Sequence, residues 1–161
     1  MDANMISTPD INDRFPETKI ITGFISYGGA SKFYGPVTTV NCFEDNSLVR
    51  TGLSKVVESG VLVVSGKKSK KVALLGDNIA LMAKRNGWSG IIVDGCVRDV
   101  EILTDIDIGI MAIGSCPKKS KKENKGESNV AILIDKVEVI PGNWIYADLN
   151  GILVSDDKLN L

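Results

Sequence analysis

Short apolar runs alternate with amphipathic segments through the middle of the chain. Two of these runs, Val61–Val64 and Ile91–Val93, are continuously apolar, as expected of strands that are covered on both faces. The segments before them carry apolar residues at helical spacing and end at Gly60 and Gly87. Strands that alternate with helices predict parallel pairing with right-handed crossovers. The predicted elements, in order, are a strand at Val37–Phe43, a helix from Asn46 or Ser47 to Gly60, a strand at Val61–Val64, a helix from Asp77 to Gly87, a strand at Ile91–Val93, a short helix starting near Asp99, and a strand at Ile108–Ile113.

The pattern changes from Val130 onward, where β-rich runs become short and closely spaced. These runs lie at Val130–Ile134, Val137–Ile140, Trp144–Ala147 and Ile152–Val154. The spacing leaves no room for crossover helices, so these strands are expected to be antiparallel. A polar-apolar pattern at Thr8–Phe15 predicts a brief N-terminal helix. We therefore predict one α/β domain over residues 1–161, with a central parallel βαβ portion and C-terminal antiparallel strands.

The composition narrows the chemistry that the chain can perform. It has 161 residues, of which 43% are hydrophobic and 24% charged, so one domain can form a core without disulfide or metal staples. It contains no histidine. This excludes Ser-His-Asp and Cys-His catalysis as well as histidine-ligated zinc sites. A bound metal would need carboxylate, carbonyl and water ligands, which favours magnesium or manganese.

Disulfides and targeting signals are not expected. The three cysteines, Cys42, Cys96 and Cys116, are widely spaced and include no C-x-x-C pair, so neither a disulfide scaffold nor a thiolate metal site is predicted. The first residues, Met1–Asn4, lack the basic-then-apolar order of a signal peptide. No apolar run approaches the roughly 18 residues that cross a bilayer. We expect a soluble cytoplasmic protein without a membrane partner.

Lysines are concentrated in two segments, although the formal net charge is only −1. The clusters are Lys67, Lys68, Lys70 and Lys71, and Lys118, Lys119, Lys121, Lys122 and Lys125. Positive patches of this kind attract RNA or an acidic partner. Solvated loops are the favoured interpretation, because no aromatic residue is interleaved with the lysines to stack on bases. Direct nucleic-acid binding is therefore not expected.

Two loops that follow predicted strands carry candidate site residues. The first is Gly76-Asp77-Asn78-Ile79, where a glycine precedes the first amides of a helix, a turn that can bind a carboxylate or phosphate. The second contains Arg98, a planar donor for a carboxylate or enolate oxygen, and Asp99, a ligand for a divalent cation. If their strands are neighbours, both loops face one cleft. Spacing alone equally supports helix capping by Asp77 and Asp99 with Arg98 as their ion-pair partner.

Several segments of the chain together form one recognisable pattern. They are Gly28-Gly29, Thr39 to Asn46, Gly76 to Ala80, Asn86 to Gly90, Gly95 to Asp99, Asp107 to Gly109, Gly126 to Ser128, Pro141-Gly142 and Tyr146 to Asp148. In this pattern the chain resembles the RraA family, which also includes the class II 4-hydroxy-4-methyl-2-oxoglutarate (HMG) aldolases. The similarity runs from about Thr8 to Ser155 and is strongest over Gly76–Pro117.

The resemblance implies a swivelling β/β/α fold, a homotrimer and a pyruvate site that requires magnesium or manganese. In that site Gly76, Asp77, Asn78 and Ile79 would bind substrate, chiefly through helix-terminal amides. Arg98 would bind pyruvate and stabilise its enolate. Asp99 would ligate the metal, and Asp77 would reach it through water. The implied reaction is retro-aldol cleavage of an HMG-like oxo acid to pyruvate, with oxaloacetate decarboxylation as a side activity.

A second branch of the family resembles regulators that bind ribonuclease E and helicases as protein inhibitors. Members of that branch often lack the aspartate after the arginine, so Asp99 favours the aldolase, whereas the compact length resembles the regulators. The chain also departs from the family pattern. It has Ser65-Gly66-Lys67-Lys68-Ser69 where Asp-Gly-Gly-Gly-Ser is usual, and Gly142-Asn143 where Gly-Asp is usual. The added lysines indicate either a more anionic substrate or loss of the ancestral activity.

Overall fold

A computed structural model describes residues 6–161 of the chain. The segment Met1–Asn4, used above to argue against a signal peptide, lies outside the described residues. The helices are α1 (Thr8–Arg14), α2 (Ser47–Leu53), α3 (Asp77–Arg85) and α4 (Val100–Leu103). The strands are β1 (Lys19–Ile21), β2 (Ile25–Ser26), β3 (Phe33–Asn41), β4 (Val61–Ser65), β5 (Ala73–Leu75), β6 (Gly90–Val97), β7 (Gly109–Ser115), β8 (Glu127–Ser128), β9 (Ile132–Ile134), β10 (Val137–Val139), β11 (Trp144–Asp148) and β12 (Gly151–Ser155).

A mixed sheet organises the molecule, with strand order β1-β12-β11-β3-β4-β6-β7-β2. Its centre, β3-β4-β6-β7, is parallel throughout, as the continuous apolar runs predict. The antiparallel pairs β11 with β12 and β9 with β10 confirm the expectation for the C-terminal part. Every residue of β4 and β6 is buried, because helices cover one face of the sheet and other strands cover the opposite face.

The two faces of the sheet have different covers. On one face, α2 and α3 pack apolar residues such as Leu53 and Ile79 onto Leu62 and Ile91. On the other face, β9, β10, β11 and β12 cover Val63 and neighbouring residues of the parallel strands. In the part of the chain that the structure describes, no helix has both the length and the apolar character that a membrane crossing requires.

The second helix is shorter than predicted. It ends at Leu53 rather than at Gly60, and Val56 is 82% exposed. Beyond Leu53 the backbone follows the end of α3 instead, since the Val57 N–H donates to the Asn86 carbonyl at 2.9 Å. Apolar spacing at 56–57 therefore reflects a tertiary contact of Val57 and not another helical turn.

Strand boundaries differ from the predictions where side chains take the backbone hydrogen bonds. The strand expected from Val130 begins only at Ile132, because the Val130 N–H donates to Thr39 Oγ1 at 3.0 Å. The next strand ends at Val139, since the Ile140 N–H donates to Asn143 Oδ1 at 2.9 Å. The short strands β1, β2, β5 and β8 were not predicted.

Candidate active site

Two adjacent parallel strands bring the candidate loops together. β5 leads directly into α3, β6 leads into Arg98 and Asp99, and the two strands pair in parallel. The Arg98 N–H donates to the Leu75 carbonyl at 2.9 Å, which fixes the second loop against the first. The six candidate residues, Gly76, Asp77, Asn78, Ile79, Arg98 and Asp99, all line one cavity of about 100 Å³.

The Asp99 carboxylate links these loops. Its backbone is left-handed, with φ at 58°, and its Oδ2 accepts the Asp77 N–H at 3.1 Å. Asp99 therefore caps the N-terminus of α3, although α3 precedes Asp99 in the sequence. It makes no side-chain cap to its own helix α4, and Asp77 Oδ1 accepts the Asn78 N–H at 2.8 Å. Asp99 therefore caps the neighbouring helix α3 and not its own helix α4, because its carboxylate is turned toward the neighbouring loop.

The Arg98 guanidinium is not neutralised by these carboxylates. Its Nη1 donates to the Pro117 carbonyl at 3.4 Å, and no ion pair to Arg98 occurs among residues 6–161. The alternative that Arg98 serves as the ion-pair partner of Asp77 and Asp99 is therefore wrong. The guanidinium remains a half-buried cation beside two carboxylates and retains donors for a ligand.

Gly76 is required by the close approach of the two loops. A Cβ added to Gly76 would lie 2.7 Å from Asp99 Oδ2 and 3.5 Å from Arg98 Cγ. No other residue type lets the carboxylate approach the start of α3 so closely. The glycine singled out from the sequence is thus explained by packing against Asp99 rather than by a positive φ angle.

A second wall of the cavity was not predicted from the sequence. Asn46 and Arg50 reach it from the start of α2, and Lys119, Ser120 and Lys122 reach it from the lysine-rich segment. Asn46 is only 8% exposed, and its Oδ1 has no hydrogen-bond partner within residues 6–161. One feature of the sequence could have indicated this wall. Asn46 follows β3, and β3 ends at the same edge of the sheet as β4 and β6.

The oxygen donors fit a hard divalent cation. The described residues contain no cluster of three or more Cys, Asp or Glu side chains that could enclose a metal. Asp99 Oδ1 and Asp77 Oδ2 accept no hydrogen bond from these residues, so one or two carboxylates are available. Magnesium typically binds through one or two carboxylates and keeps several waters. The donor set therefore agrees with magnesium or manganese rather than with zinc.

The sequence profile of the RraA-like family, described as Aldolase/RraA, matches residues 8–154. The chain belongs to the RraA-like family. A relative from Xanthomonas campestris pv. campestris strain 8004, with the name "Putative 4-hydroxy-4-methyl-2-oxoglutarate aldolase", is 42% identical over 156 residues, which are 96% of this chain and 94% of the relative.

Two solved structures confirm the expected fold. The RNA-processing inhibitor RraA from Thermus thermophilis superposes with a TM-score of 0.94 at 42% identity and covers 99% of this chain and 96% of its own. A Geobacillus kaustophilus structure described as an S-adenosylmethionine:2-dimethylmenaquinone methyltransferase also gives 0.94, at 46% identity, with 96% and 97% of the two chains covered. This chain therefore has the RraA-like α/β architecture over nearly its whole length.

Proposed function

We propose that this RraA-like protein is a divalent-metal-dependent aldolase that cleaves HMG, or a related oxo acid, to pyruvate. The observation that carries the proposal is the cavity that Arg98 and Asp99 share. In it the Arg98 guanidinium and the Asp99 carboxylate do not form an ion pair with each other. The names of relatives such as the Xanthomonas protein support the same class of reaction. Oxaloacetate decarboxylation is the expected side activity, because it passes through the same enolate.

The bond changes require negative charge to be stabilised on one oxygen. The C4 hydroxyl of HMG loses its proton to water in the cavity, and the C3–C4 bond breaks as C4 becomes the carbonyl carbon of one pyruvate. The electron pair of the broken bond forms the enolate of a second pyruvate. The enolate then takes up a proton at C3 to give pyruvate. In oxaloacetate the same bond breaks with release of carbon dioxide. Donors that are positioned where the charge develops lower the barrier.

Each candidate residue has a specific task in this proposal. Arg98 donates to the pyruvate portion and stabilises its enolate oxygen. Asp99 directly, and Asp77 through water, would hold a magnesium or manganese ion, which supplies electrostatic stabilisation of the same charge. The first amides of α3 are partly used already, since Asp77 and Asn78 donate to carboxylates. The Ile79 N–H is left to bind a substrate carboxylate oxygen beside Gly76.

The second wall supports a substrate with two carboxylates. Arg50, Lys119 and Lys122 add positive charge to the cavity, and within residues 6–161 none of the three forms an ion pair. Together with Arg98, these side chains carry more positive charge than Asp77 and Asp99 carry negative charge. A dianionic oxo acid, held at one end by Arg98, would place its second carboxylate against this wall.

Pyruvate release from HMG and oxaloacetate, measured in a coupled assay with and without a chelator, tests the proposal. Turnover should require added magnesium or manganese and should fall by about 10² to 10³-fold in Arg98→Ala and Asp99→Asn. Arg85→Ala, an exposed change near the opposite end of α3, is the matched control and should retain turnover. Unchanged turnover in both site variants, in protein that remains folded, would reject the assigned roles.

A second candidate function is an RraA-type protein inhibitor of ribonuclease E. The structure brings the two lysine clusters together, because the Ala73 N–H donates to the Lys118 carbonyl at 2.8 Å and Lys67 lines one cavity with Lys121. Capture of purified ribonuclease E or a helicase should then survive chelation and Asp99→Asn, but should be lost in Lys118→Glu combined with Lys122→Glu. Absence of capture by the unmodified chain rejects this function.

The homotrimer implied by the family resemblance is also a proposal. Sedimentation equilibrium of the purified chain tests it, because a trimer has about three times the 17.3 kDa mass of the chain. A mass of one or two chains would contradict it. The cytoplasmic location stays a prediction.

A further inference from the structure

A row of polar side chains occurs at the carboxyl edge of the parallel sheet, away from the Arg98 cavity. Asn41 and Ser65 are the last residues of β3 and β4, and Asp94 lies within β6. The strand register places Asn41 opposite Ser65 and Ser65 opposite Asp94. Residues in register on adjacent strands project from the same face. This face is the one that β9 covers, and the cavity there shares no lining residue with the Arg98 cavity.

Asp94 is the most unusual member of the row. The residue is 3% exposed, and its Oδ1 has no hydrogen-bond partner in the described part of the chain. Its backbone carbonyl is fixed, because it accepts the N–H groups of Gly66 and Lys68, each at 3.1 Å. Buried acceptors in proteins are nearly always paired, so the orphaned carboxylate oxygen beside this cavity is available to a ligand that donates a hydrogen bond.

The cavity combines this acceptor with positive charge and an apolar wall. It has a volume of about 470 Å³, and its lining includes the basic residues Lys67 and Lys68 and the apolar residues Ile132 and Leu133. Lys68 pairs with Asp135, whereas Lys67 forms no ion pair among residues 6–161. The cavity is therefore matched to a ligand that carries hydroxyl donors, one negative group and a carbon skeleton.

The loop that carries these lysines is held in a conformation that side chains rarely adopt. Lys67 and Lys68 have φ angles of 54° and 60°, which glycine occupies more easily. The family pattern described above has glycines at both positions, so this chain combines backbone strain with two added charges. Strain of this kind persists where the surrounding structure fixes it, and it is enriched at ligand sites.

We propose that the Asn41-Ser65-Asp94 cavity binds a small anionic polyol, a molecule with several hydroxyls and one phosphate or carboxylate. A ligand hydroxyl donates to Asp94 Oδ1, and Ser65 and Asn41 bind neighbouring hydroxyls. The Lys67 ammonium binds the anionic group, and Leu133 contacts the carbon skeleton. This site is independent of the proposed aldolase chemistry.

Isothermal titration calorimetry with ribose 5-phosphate and ribonate tests the site, with ribose and inorganic phosphate as single-feature controls. At least one anionic polyol should bind saturably and about tenfold or more tightly than either control. Comparison of the two probes distinguishes a phosphate from a carboxylate. Absence of saturable binding for both probes at millimolar concentration overturns the proposal, as does inorganic phosphate that binds as tightly as ribose 5-phosphate.

Variants locate the binding. Asp94→Asn and Lys67→Met should each weaken the bound probe about tenfold or more, whereas Lys70→Met, a lysine outside the cavity, should not. Asp94→Asn is expected to fold, because burial disfavours the charged form of this carboxyl, and thermal melting checks this. If Asp94→Asn does not fold, Ser65→Ala replaces it and should also weaken binding. The assignment is overturned if Lys67→Met binds the probe with unchanged affinity and the folded variant of the row, Asp94→Asn or Ser65→Ala, does so as well.

Discussion

The Asp99 carboxylate and the Asp77 backbone N–H, which lie on separate loops, are joined by a hydrogen bond of 3.1 Å. One carboxylate oxygen of Asp99 is thereby oriented, and the other accepts no hydrogen bond from residues 6–161. The bond also positions the start of α3 relative to Arg98, because Arg98 and Asp99 are consecutive. The geometry of the candidate site therefore depends on how closely these loops approach each other.

Gly76→Ala is expected to disrupt this approach. The new methyl would lie 2.7 Å from Asp99 Oδ2, so the carboxylate must move away from α3. We expect turnover to fall about 10²-fold, in line with a small displacement of a catalytic group. The coupled pyruvate assay measures it, and circular dichroism checks the fold. Gly52→Ala is the control, since its methyl would meet only the Leu62 side chain, at 3.7 Å from Cδ1 and 3.9 Å from Cδ2. Equal turnover of the two variants would contradict the argument.

A second close approach controls stability rather than activity. The Phe33 ring packs on Gly109 so closely that an added Cβ would lie 2.0 Å from Phe33 Cδ1. Gly109→Ala should therefore lower the free energy of unfolding by about 1–3 kcal/mol, measured by urea denaturation. Gly114→Ala lies in the same strand and is the control, because its nearest contact is Cys96 Sγ at 3.5 Å.

A double variant separates this clash from a general effect of alanine. In the background of Phe33→Ala the ring is absent, so adding Gly109→Ala should cost much less than it does in the natural chain. Such a cycle measures the coupling between residues that are in contact. Additive losses in the double variant would show that the ring is not the cause.

The central fold could be predicted because its signals are local. A run such as Val61–Val64 can be buried on both faces only in the middle of a sheet, and the next strand must pair in parallel when a helix intervenes. The three-residue strand Ala73–Leu75 has too few residues to show a period, and its partner Cys96 is distant in sequence. Short strands of this kind depend on tertiary pairing.

The candidate site could be predicted only in part, for the same reason. Asp77 begins a predicted helix and the Arg98 loop follows a predicted strand, so the rule that ligand loops gather at the carboxyl edge of parallel strands brings Asp77 and Arg98 together. The strand β5, which positions Asp77 beside Arg98, was not predicted. Arg50 and Asn46 reach the same cavity from α2, and no spacing between position 46 and position 98 encodes that contact. The direction of the Asp99 carboxylate also depends on packing against Gly76.

Asp148 connects the N-terminal helix to the sheet. Its Oδ1 accepts the Thr8 hydroxyl at 2.7 Å, and its Oδ2 accepts the Thr8 N–H at 2.8 Å. Burial alone would raise the pKa of Asp148, but these hydrogen bonds and those from Asn150 outweigh it and lower the pKa. A lowered folded pKa gives stability that is present above the ordinary value of about 3.9 and is lost as the pH falls through the folded value.

Asp148→Asn should therefore reduce stability at neutral pH by about 1–3 kcal/mol. It should also flatten the loss of stability in acid, because the carboxylate that takes up the proton is gone. Urea denaturation at a series of pH values measures both effects. Asp13→Asn, on the exposed side of α1, is the control and should change neither. A variant whose acid branch matches that of the natural chain would show that Asp148 does not carry this dependence.

Thiol reactivity tests the burial of the parallel core directly. Burial, with a smaller contribution from Asp45 that Lys67 opposes, raises the pKa of Cys42 to about 12, and burial also raises the pKa of Cys96. Cys116 is half-buried, so it is the accessible thiol of the three.

Iodoacetamide at mildly alkaline pH should therefore modify Cys116 first, since only the thiolate reacts. Cys42 and Cys96 should be labelled only after unfolding in guanidinium, which serves as the control in which all three react. Mass spectrometry of peptides after a time course assigns each label. If Cys42 or Cys96 is labelled in the folded protein at the same rate as Cys116, the sheet edge must open, because both thiols are buried in the structure.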